Sequence, residues 1–169
     1  TFFTKLHYQV VLSPVSNRKI YEMGIESIPS ESECYPAKLA HGHIEWLIGQ
    51  HVDFIFYPAL FYERNEFQDA NNHYNCPIVT SYSENIKNNV EAIGRGEVVF
   101  KNPFMAFTSP ELIAQSLIKE FPDIDASEIT DAVNAGWKEL EAVRQDMYHK
   151  GEEVIEYIEK NHSRAIVLA

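Results

Sequence analysis

The sequence has few cysteines, few basic residues and no long apolar run. Two cysteines in 169 residues are too few for a disulfide-stapled secreted scaffold. The 14 Lys and Arg side chains against 25 Asp and Glu give a net charge of −11, which disfavours binding to nucleic acid or to anionic lipid. No stretch reaches the roughly 18–20 apolar residues that span a bilayer, and no signal-peptide pattern opens the chain. We therefore expect a cytoplasmic protein that binds neither nucleic acid nor membrane.

Common catalytic motifs are also absent. Neither of the glycine-rich phosphate-binding patterns, G-x-G-x-x-G and G-x-x-x-x-G-K-S/T, occurs, and neither do G-x-S-x-G and H-E-x-x-H. The sequence thus lacks the usual signatures of nucleotide-phosphate binding and of hydrolysis by serine or zinc.

The apolar content is sufficient for a folded core. With 45% apolar and 12% aromatic residues, the chain can form one domain over residues 1–169. Apolar residues begin at Phe2 and Phe3, and residues 165–169 have the composition of a buried strand. Because domain termini usually fray into solvent, we expect a single α/β domain or a fragment of a larger multidomain protein.

The hydrophobic pattern alternates between strands and helices. Strands are predicted at 8–13, 52–57, 78–80 and 98–100, with a short extended piece at 25–28. Helices are predicted at 17–23, from 34 to 50, at 84–93, from Pro110, and from Asp125 past Gly151, and a long loop at 61–75. This order predicts an α/β fold: an open, mostly parallel sheet flanked by helices, with a long C-terminal amphipathic helix.

The two cysteines share a sequence context. Cys34 precedes Tyr35-Pro36 and a helix, and Cys76 precedes Pro77 and a strand and helix. The positive end of a helix favours the thiolate, which binds metals and attacks electrophiles. Loops at the carboxyl ends of parallel strands converge on one crevice, so the two thiols could share a site. The alternative is that both are buried as small apolar side chains.

Histidines and a polar loop lie near the cysteines in sequence. On one helix, Cys34 and His41 would be about 10 Å apart along the axis, too far for one zinc ion. His41 and His43 point to different faces, so a structural role is favoured for the pair, with at least one near the crevice or the neighbouring loop. Glu63, His73 and Asn75 concentrate polar groups before Cys76, although Asn is often only a turn former.

Three segments together resemble a known family. They are Cys34–Lys38 with His41–His43, Phe54–Pro58, and Asn71–Val79. The chain resembles, over nearly its whole length, a domain of CoA-substrate-specific enzyme activases, which are related to 2-hydroxyacyl-CoA dehydratase activators. The resemblance implies an ATPase domain of the actin/sugar-kinase type in the same protein, an acyl-CoA dehydratase as partner, and anaerobic metabolism. It also implies a Rossmann-like fold similar to the dehydratase subunits, in which crevice cysteines hold a 4Fe-4S cluster.

Carried onto this sequence, the resemblance implies that Cys34 and Cys76 are cluster ligands. A third cysteine is expected after Tyr57-Pro58, where Ala59 stands. Two thiolates are fewer than the usual four. Four interpretations stay open: a water or other ligand completes the cluster, a partner chain supplies a ligand, the cluster is weakly held, or there is none. The residues expected to line the crevice are Tyr35, His41, His43, Ala59, Glu63, His73 and Asn75.

Three functional hypotheses follow. The first is a module of an activase-like protein that holds, or derives from, an iron–sulfur site for ATP-driven electron transfer. The second is a cluster-free acyl-CoA-binding or scaffold domain. The third is a thiol enzyme with Cys34 as nucleophile and His41 or His43 as base. No turnover is expected of the isolated chain.

Overall fold

Parallel strands between two helical layers form the centre of the computed structural model, which describes residues 1–67 and 69–167. The helices are α1 (Phe2–Lys5), α2 (Arg18–Gly24), α3 (Tyr35–Ile48), α4 (Pro77–Asn89), α5 (Glu91–Gly94), α6 (Pro110–Glu120) and α7 (Ala126–Lys160), with a 3-10 turn at Ile25–Ser27. The strands are β1 (Phe54–Phe56), β2 (Ala59–Glu63), β3 (Val99–Lys101) and β4 (Phe104–Phe107).

The strands pair in parallel, β1 with β3 and β2 with β4. The register of both pairs places Pro58 opposite Pro103. Because proline has no N–H to donate, the ladder divides into two short sheets at this point. Backbone bonds bridge the division, from Tyr57 N to Lys101 O at 2.9 Å and from Ala59 N to Pro103 O at 3.0 Å. The described strands therefore form one long parallel ribbon, with α4 and α5 in the connection between β2 and β3.

Each face of the ribbon has its own core. Phe54, Phe56 and Leu60 face a cluster formed with α1, α6 and α7 that includes the fully buried Ile129. Ile55 faces the opposite cluster, formed mainly by α3, α4 and α5. This arrangement confirms the α/β prediction of parallel strands flanked by helices. The long C-terminal helix is also confirmed, since α7 runs through Gly151 without a break.

Helix starts follow the local sequence. The Asn17 side chain accepts from the backbone N–H groups of Lys19 and Ile20, so Asn17, not the neighbouring Ser16, caps α2. Ser109 caps α6 ahead of Pro110, and Asp125 caps α7. These caps set the boundaries that the sequence predicted for α6 and α7.

Two glycines let α2 and α3 approach closely. A Cβ atom on Gly42 would collide with the carbonyl oxygen of Ile20, and one on Gly24 would collide with the backbone of Gly42. Both positions are buried. The two helices therefore touch through their backbones, and this contact requires glycine.

Several local predictions were wrong. Residues 8–13 form no strand: Leu12 is 81% exposed, because this segment carries the chain from α1 on one face of the ribbon to α2 on the other. Residues 78–80 belong to α4, and 61–75 contains most of β2. The piece at 25–28 is a 3-10 turn, and β4 was not predicted. Residues 165–167 are exposed without strand structure, and 168–169 lie outside the described residues.

The second half of α7 extends beyond the core. Its buried residues, Ile129, Ala132 and Val133, all lie near its start, whereas residues 145–157 are exposed. Among the described residues, no helix has the length and apolar character needed to cross a membrane.

Candidate functional site

Both cysteines lie at the N-termini of neighbouring helices. Cys34 is the N-cap residue of α3 and Cys76 is the N-cap residue of α4, and these two helices pack against each other. Each helix carries a proline in its first turn, Pro36 in α3 and Pro77 in α4. Neither thiol forms a capping hydrogen bond with the backbone N–H groups of its own helix, and both cysteines are exposed. Two sulfur atoms at positive helix ends therefore face solvent.

Tyr82 of α4 lies beside the Cys34 thiol. Its hydroxyl oxygen lies 3.7 Å from the Cys34 sulfur. Burial, the hydrogen bond with Cys34, and negative charge at Cys34, Tyr57 and Cys76 together raise the pKa of Tyr82 to about 12. Tyr82 therefore lies close enough to both cysteines to be affected by the charge of either one. At neutral pH its hydroxyl stays protonated.

The backbone that carries Cys34 is held against α4. Glu33 precedes Cys34, and its side chain is only 8% exposed. The Asn85 amide donates to Glu33 Oε1 at 2.6 Å. Because Tyr82 and Asn85 are three residues apart on α4, they lie on the same helix face. The pair fixes the Glu33–Cys34 segment and with it the position of the Cys34 thiol.

His41 lies beneath this segment and is 1% exposed. Its Nδ1 is 2.9 Å from Ser27 Oγ, and the Ser27 hydroxyl donates to the Gly24 carbonyl at 3.1 Å. Because the hydroxyl proton of Ser27 is used in the bond to Gly24, the Nδ1–H group of His41 is the donor to Ser27 Oγ. Nε2 of His41 then faces Glu33 Oε2 at 4.0 Å. Burial lowers the pKa of His41. His41 therefore joins the 3-10 turn to α3 as a neutral side chain.

His43 makes a separate contact. Its Nε2 lies 2.9 Å from Ser16 Oγ, just before α2, and burial lowers the pKa of this imidazole as well. The two histidines thus bind serines in different segments, Ser27 and Ser16, rather than the thiol of Cys34. These contacts support a structural role for both.

Ala59 begins β2 and is 1% exposed. Side chains alternate along the ribbon, and Ile55 and Tyr57 belong to the core of α3 and α4. Ala59 continues that alternation and so faces the same helices. The Thr80 hydroxyl donates to the Leu60 carbonyl at 3.4 Å, which holds the start of α4 against β2. The methyl group of Ala59 is enclosed there and offers no metal ligand.

The segment that leads to Cys76 is fixed by β2. Residues 73–75 lie along its free edge, with an antiparallel bridge between Tyr62 and Tyr74. Backbone N–H groups donate from Glu63 to His73 O at 2.8 Å and from Asn75 to Phe61 O at 3.1 Å. The chain therefore reaches Cys76 along a defined path.

Asn75 has the largest role among the predicted loop residues. Its amide donates to Leu60 O and to Glu63 Oε1, both at 2.9 Å. Glu63 and His73 also line a cavity of about 420 Å³ beside this loop, with Arg64, Tyr74 and neighbouring residues. The bonds to Leu60 and Glu63 thus anchor Asn75, the residue before Cys76, whereas His73 faces the loop cavity.

Exposed apolar and aromatic side chains lie close to both cysteines in the sequence. Tyr35 stacks at 5.7 Å from the Tyr21 ring and remains largely exposed. Tyr74, Ile78 and Val79, which flank Cys76 in sequence, are exposed as well. We call Tyr35, Tyr74, Ile78 and Val79 the apolar rim.

Sequence analysis identified both cysteines but missed Tyr82 and Asn85. Their spacing on α4 carries no motif, and their relation to residues 33–34 arises only when α3 and α4 pack. Within residues 1–67 and 69–167, no group of three or more His, Cys, Asp or Glu side chains is arranged to hold a metal ion.

Fold and site define an α/β domain that presents a pair of thiols at adjacent helix N-termini. The family described as "CoA enzyme activase uncharacterised domain (DUF2229)" matches residues 1–169. The chain therefore belongs to this CoA enzyme activase domain family. Searches of curated proteins and of solved structures gave no match.

Proposed function

We propose that this domain supplies half of the ligand set of a 4Fe-4S cluster in a CoA-substrate-specific enzyme activase. Cys34 and Cys76 are the two ligands. One observation carries the proposal: two exposed cysteines are the N-cap residues of adjacent helices, and the charge of each contributes to the raised pKa of Tyr82. When bound, the cluster supplies one-electron transfer, driven by ATP hydrolysis elsewhere in the protein. Such a domain serves an acyl-CoA dehydratase in the cytoplasm, in anaerobic metabolism.

The two thiols of Cys34 and Cys76 make up half of the usual ligand set of a 4Fe-4S cluster. Thiolate sulfur is the usual ligand of iron–sulfur clusters, and four such ligands are the rule. Cys34 and Cys76 are the N-cap residues of α3 and α4, two helices that pack against each other. Ala59 faces these helices but cannot ligate iron. In this proposal the remaining ligands come from another part of the same protein.

The residues around the thiols have defined tasks. Tyr82 and Asn85 fix the segment of Cys34, and Asn75 fixes the entry to Cys76. The apolar rim excludes water once a partner surface covers it, which lowers the local dielectric constant. These residues position the ligands and control solvent; none takes part in bond formation.

The test is anaerobic reconstitution of the full-length protein with iron and sulfide. We expect broad visible charge-transfer absorption that Cys34→Ala and Cys76→Ala each reduce at least about fivefold, since losing one of four thiolates removes a ligand that nothing replaces. Ser81→Ala, an exposed change on α4, is the control. A wild-type spectrum in Cys34→Ala would contradict the proposal.

The buried methyl of Ala59 favours a second candidate, a cluster-free domain that binds an acyl-CoA or packs against the rest of the protein. In that case the reconstituted protein stays colourless, and substitutions in the apolar rim weaken association with the partner surface. The two candidates thus give opposite results in the same reconstitution.

A further inference from the structure

A second cavity lies on the opposite face of the ribbon from the cysteines. Its volume is about 320 Å³, and it lies between α1, α6, α7 and the strands, with one side open to solvent. Its walls are apolar, with Phe2, Phe3, Leu60, Phe107, Leu117 and Trp137 among them. Gly136 of α7 also lines it. The wall therefore offers an apolar ligand extensive contact and very little hydrogen bonding.

We propose that this cavity binds the hydrocarbon chain of a medium-chain acyl group. Apolar cavities stay dry, and one of about 150 Å³ is large enough to bind benzene. The present cavity has about twice that volume, which corresponds to a chain of about ten carbons. The polar end of the ligand stays outside, because it would lose its hydrogen bonds to water among these side chains.

The contact between α1 and α7 limits the cavity on one side. A Cβ atom on Gly136 would lie 3.8 Å from the Phe2 backbone nitrogen, an ordinary van der Waals distance. A methyl group is therefore tolerated at this position, while a larger side chain has to enter the cavity or displace α1. The absence of a side chain at Gly136 keeps the space open.

Trp137 provides a direct reporter of binding. The other tryptophan, Trp46, lies on α3 beyond the opposite core. In a Trp46→Phe variant, the fluorescence of Trp137 alone is followed during titration with decanoate, decanoyl-CoA, CoA and butyrate. We expect a saturable change with decanoate, decanoyl-CoA or both, which identifies the free acid or the thioester as the source of the chain. Butyrate should bind at least about 100-fold more weakly, because six fewer methylenes are buried.

Two glycines in the same helix give a matched pair of variants. Gly136→Leu fills the cavity and should weaken binding of the chain at least about tenfold, whereas Gly151→Leu, where a new side chain meets open space, should leave it unchanged. Val133→Phe fills the cavity from a second position and covers the case in which Gly136→Leu fails to fold.

Three results would overturn the proposal: no saturable change in Trp137 fluorescence, equal affinities in Gly136→Leu and Gly151→Leu, or binding of naphthalene without binding of either chain. Cys34→Ala and Cys76→Ala should retain binding of the chain. The outcome is thus independent of whether a cluster assembles at the cysteines.

Discussion

At the residue scale, buried polar groups lie close to Cys34 in the fold. A hydrogen bond between Ser27 and His41 links the 3-10 turn to α3, and Glu33 Oε2 lies 4.0 Å from His41 Nε2. Burial favours the neutral form of His41, so the stability of this region depends on pH.

The His41 imidazole should make folding sensitive to mild acid. Burial lowers its pKa below the 6.5 of a free imidazole, so the unfolded chain takes up a proton that the folded chain excludes. Stability is complete above that value and falls as the pH drops below it, by up to about 1.4 kcal/mol per pH unit. His43 acts in the same direction. The measurement is urea unfolding between about pH 5 and 7.5.

The slope of stability against pH is the diagnostic quantity. His41→Gln should flatten it, and the exposed His149→Gln should not. An unchanged slope in His41→Gln would show that other groups cause the acid sensitivity.

The Phe3 ring should be a principal anchor of α1. It lies within 6 Å of the rings of five other aromatic residues, Phe2, Tyr8, Phe54, Phe56 and Phe121. Phe3→Ala should lower the free energy of unfolding by about 2 kcal/mol, since the ring is partly buried and its loss leaves a void. The exposed Phe67→Ala should change it by less than about 0.5 kcal/mol. Equal losses in urea unfolding would contradict this role.

Residue-level prediction succeeded where chemistry depends on local sequence. Cys34 could be recognised as a helix-terminal thiol because Tyr35-Pro36 indicates a helix start, whereas Cys76 was expected to precede a strand and is instead the N-cap residue of α4. Tyr82 could not, because its role depends on how two distant helices pack. The buried state of Ala59 likewise follows from α4 lying on β2.

At the element scale, the α2–α3 pair depends on glycine. Gly42→Ala should lower the free energy of unfolding by about 2 kcal/mol or more, because its methyl group has no space beside the Ile20 carbonyl. Gly151→Ala is the matched control and should be neutral or stabilise by up to about 1 kcal/mol, since alanine favours a helix and meets nothing there. Urea midpoints measure both. A neutral Gly42→Ala would show that the helices can separate at low cost.

Helices and strands were predicted well where the spacing of apolar residues and the residues at the ends of the element indicated the same structure. The helices α3, α6 and α7 and the strands β1 and β3 have clear patterns and lie close to the predicted positions. Residues 78–80 are all β-branched, yet they are helical because α4 begins at Pro77, about two turns before the predicted start at residue 84. Residues 8–13 have strand composition, but the fold offers them no pairing partner, and pairing decides a strand more than propensity does.

At the scale of the whole molecule, net charge opposes compactness. A charge of −11 gives mutual repulsion across the surface. Raising salt from about 10 to 150 mM shortens the Debye length from about 30 to 8 Å. The free energy of unfolding should therefore rise by up to about 1 kcal/mol. Exposed ion pairs such as Arg18–Glu22 and Arg95–Glu91 weaken in salt, but each is worth little.

Urea unfolding at several NaCl concentrations tests this balance, with sucrose at matched osmolality as the control for non-ionic effects. A fall in stability with NaCl would mean that ion pairs outweigh the general repulsion.

Parallel pairing of distant strands also bears on how the chain is made. β1 and β2 leave the ribosome long before β3 and β4, and they cannot complete the ribbon until residue 107 has emerged. The helices that cover Phe2 and Phe3 are translated later still. During synthesis Phe2 and Phe3 therefore remain uncovered until α6 and α7 have emerged, and nascent chains that stall before α6 should be the ones that recruit chaperones.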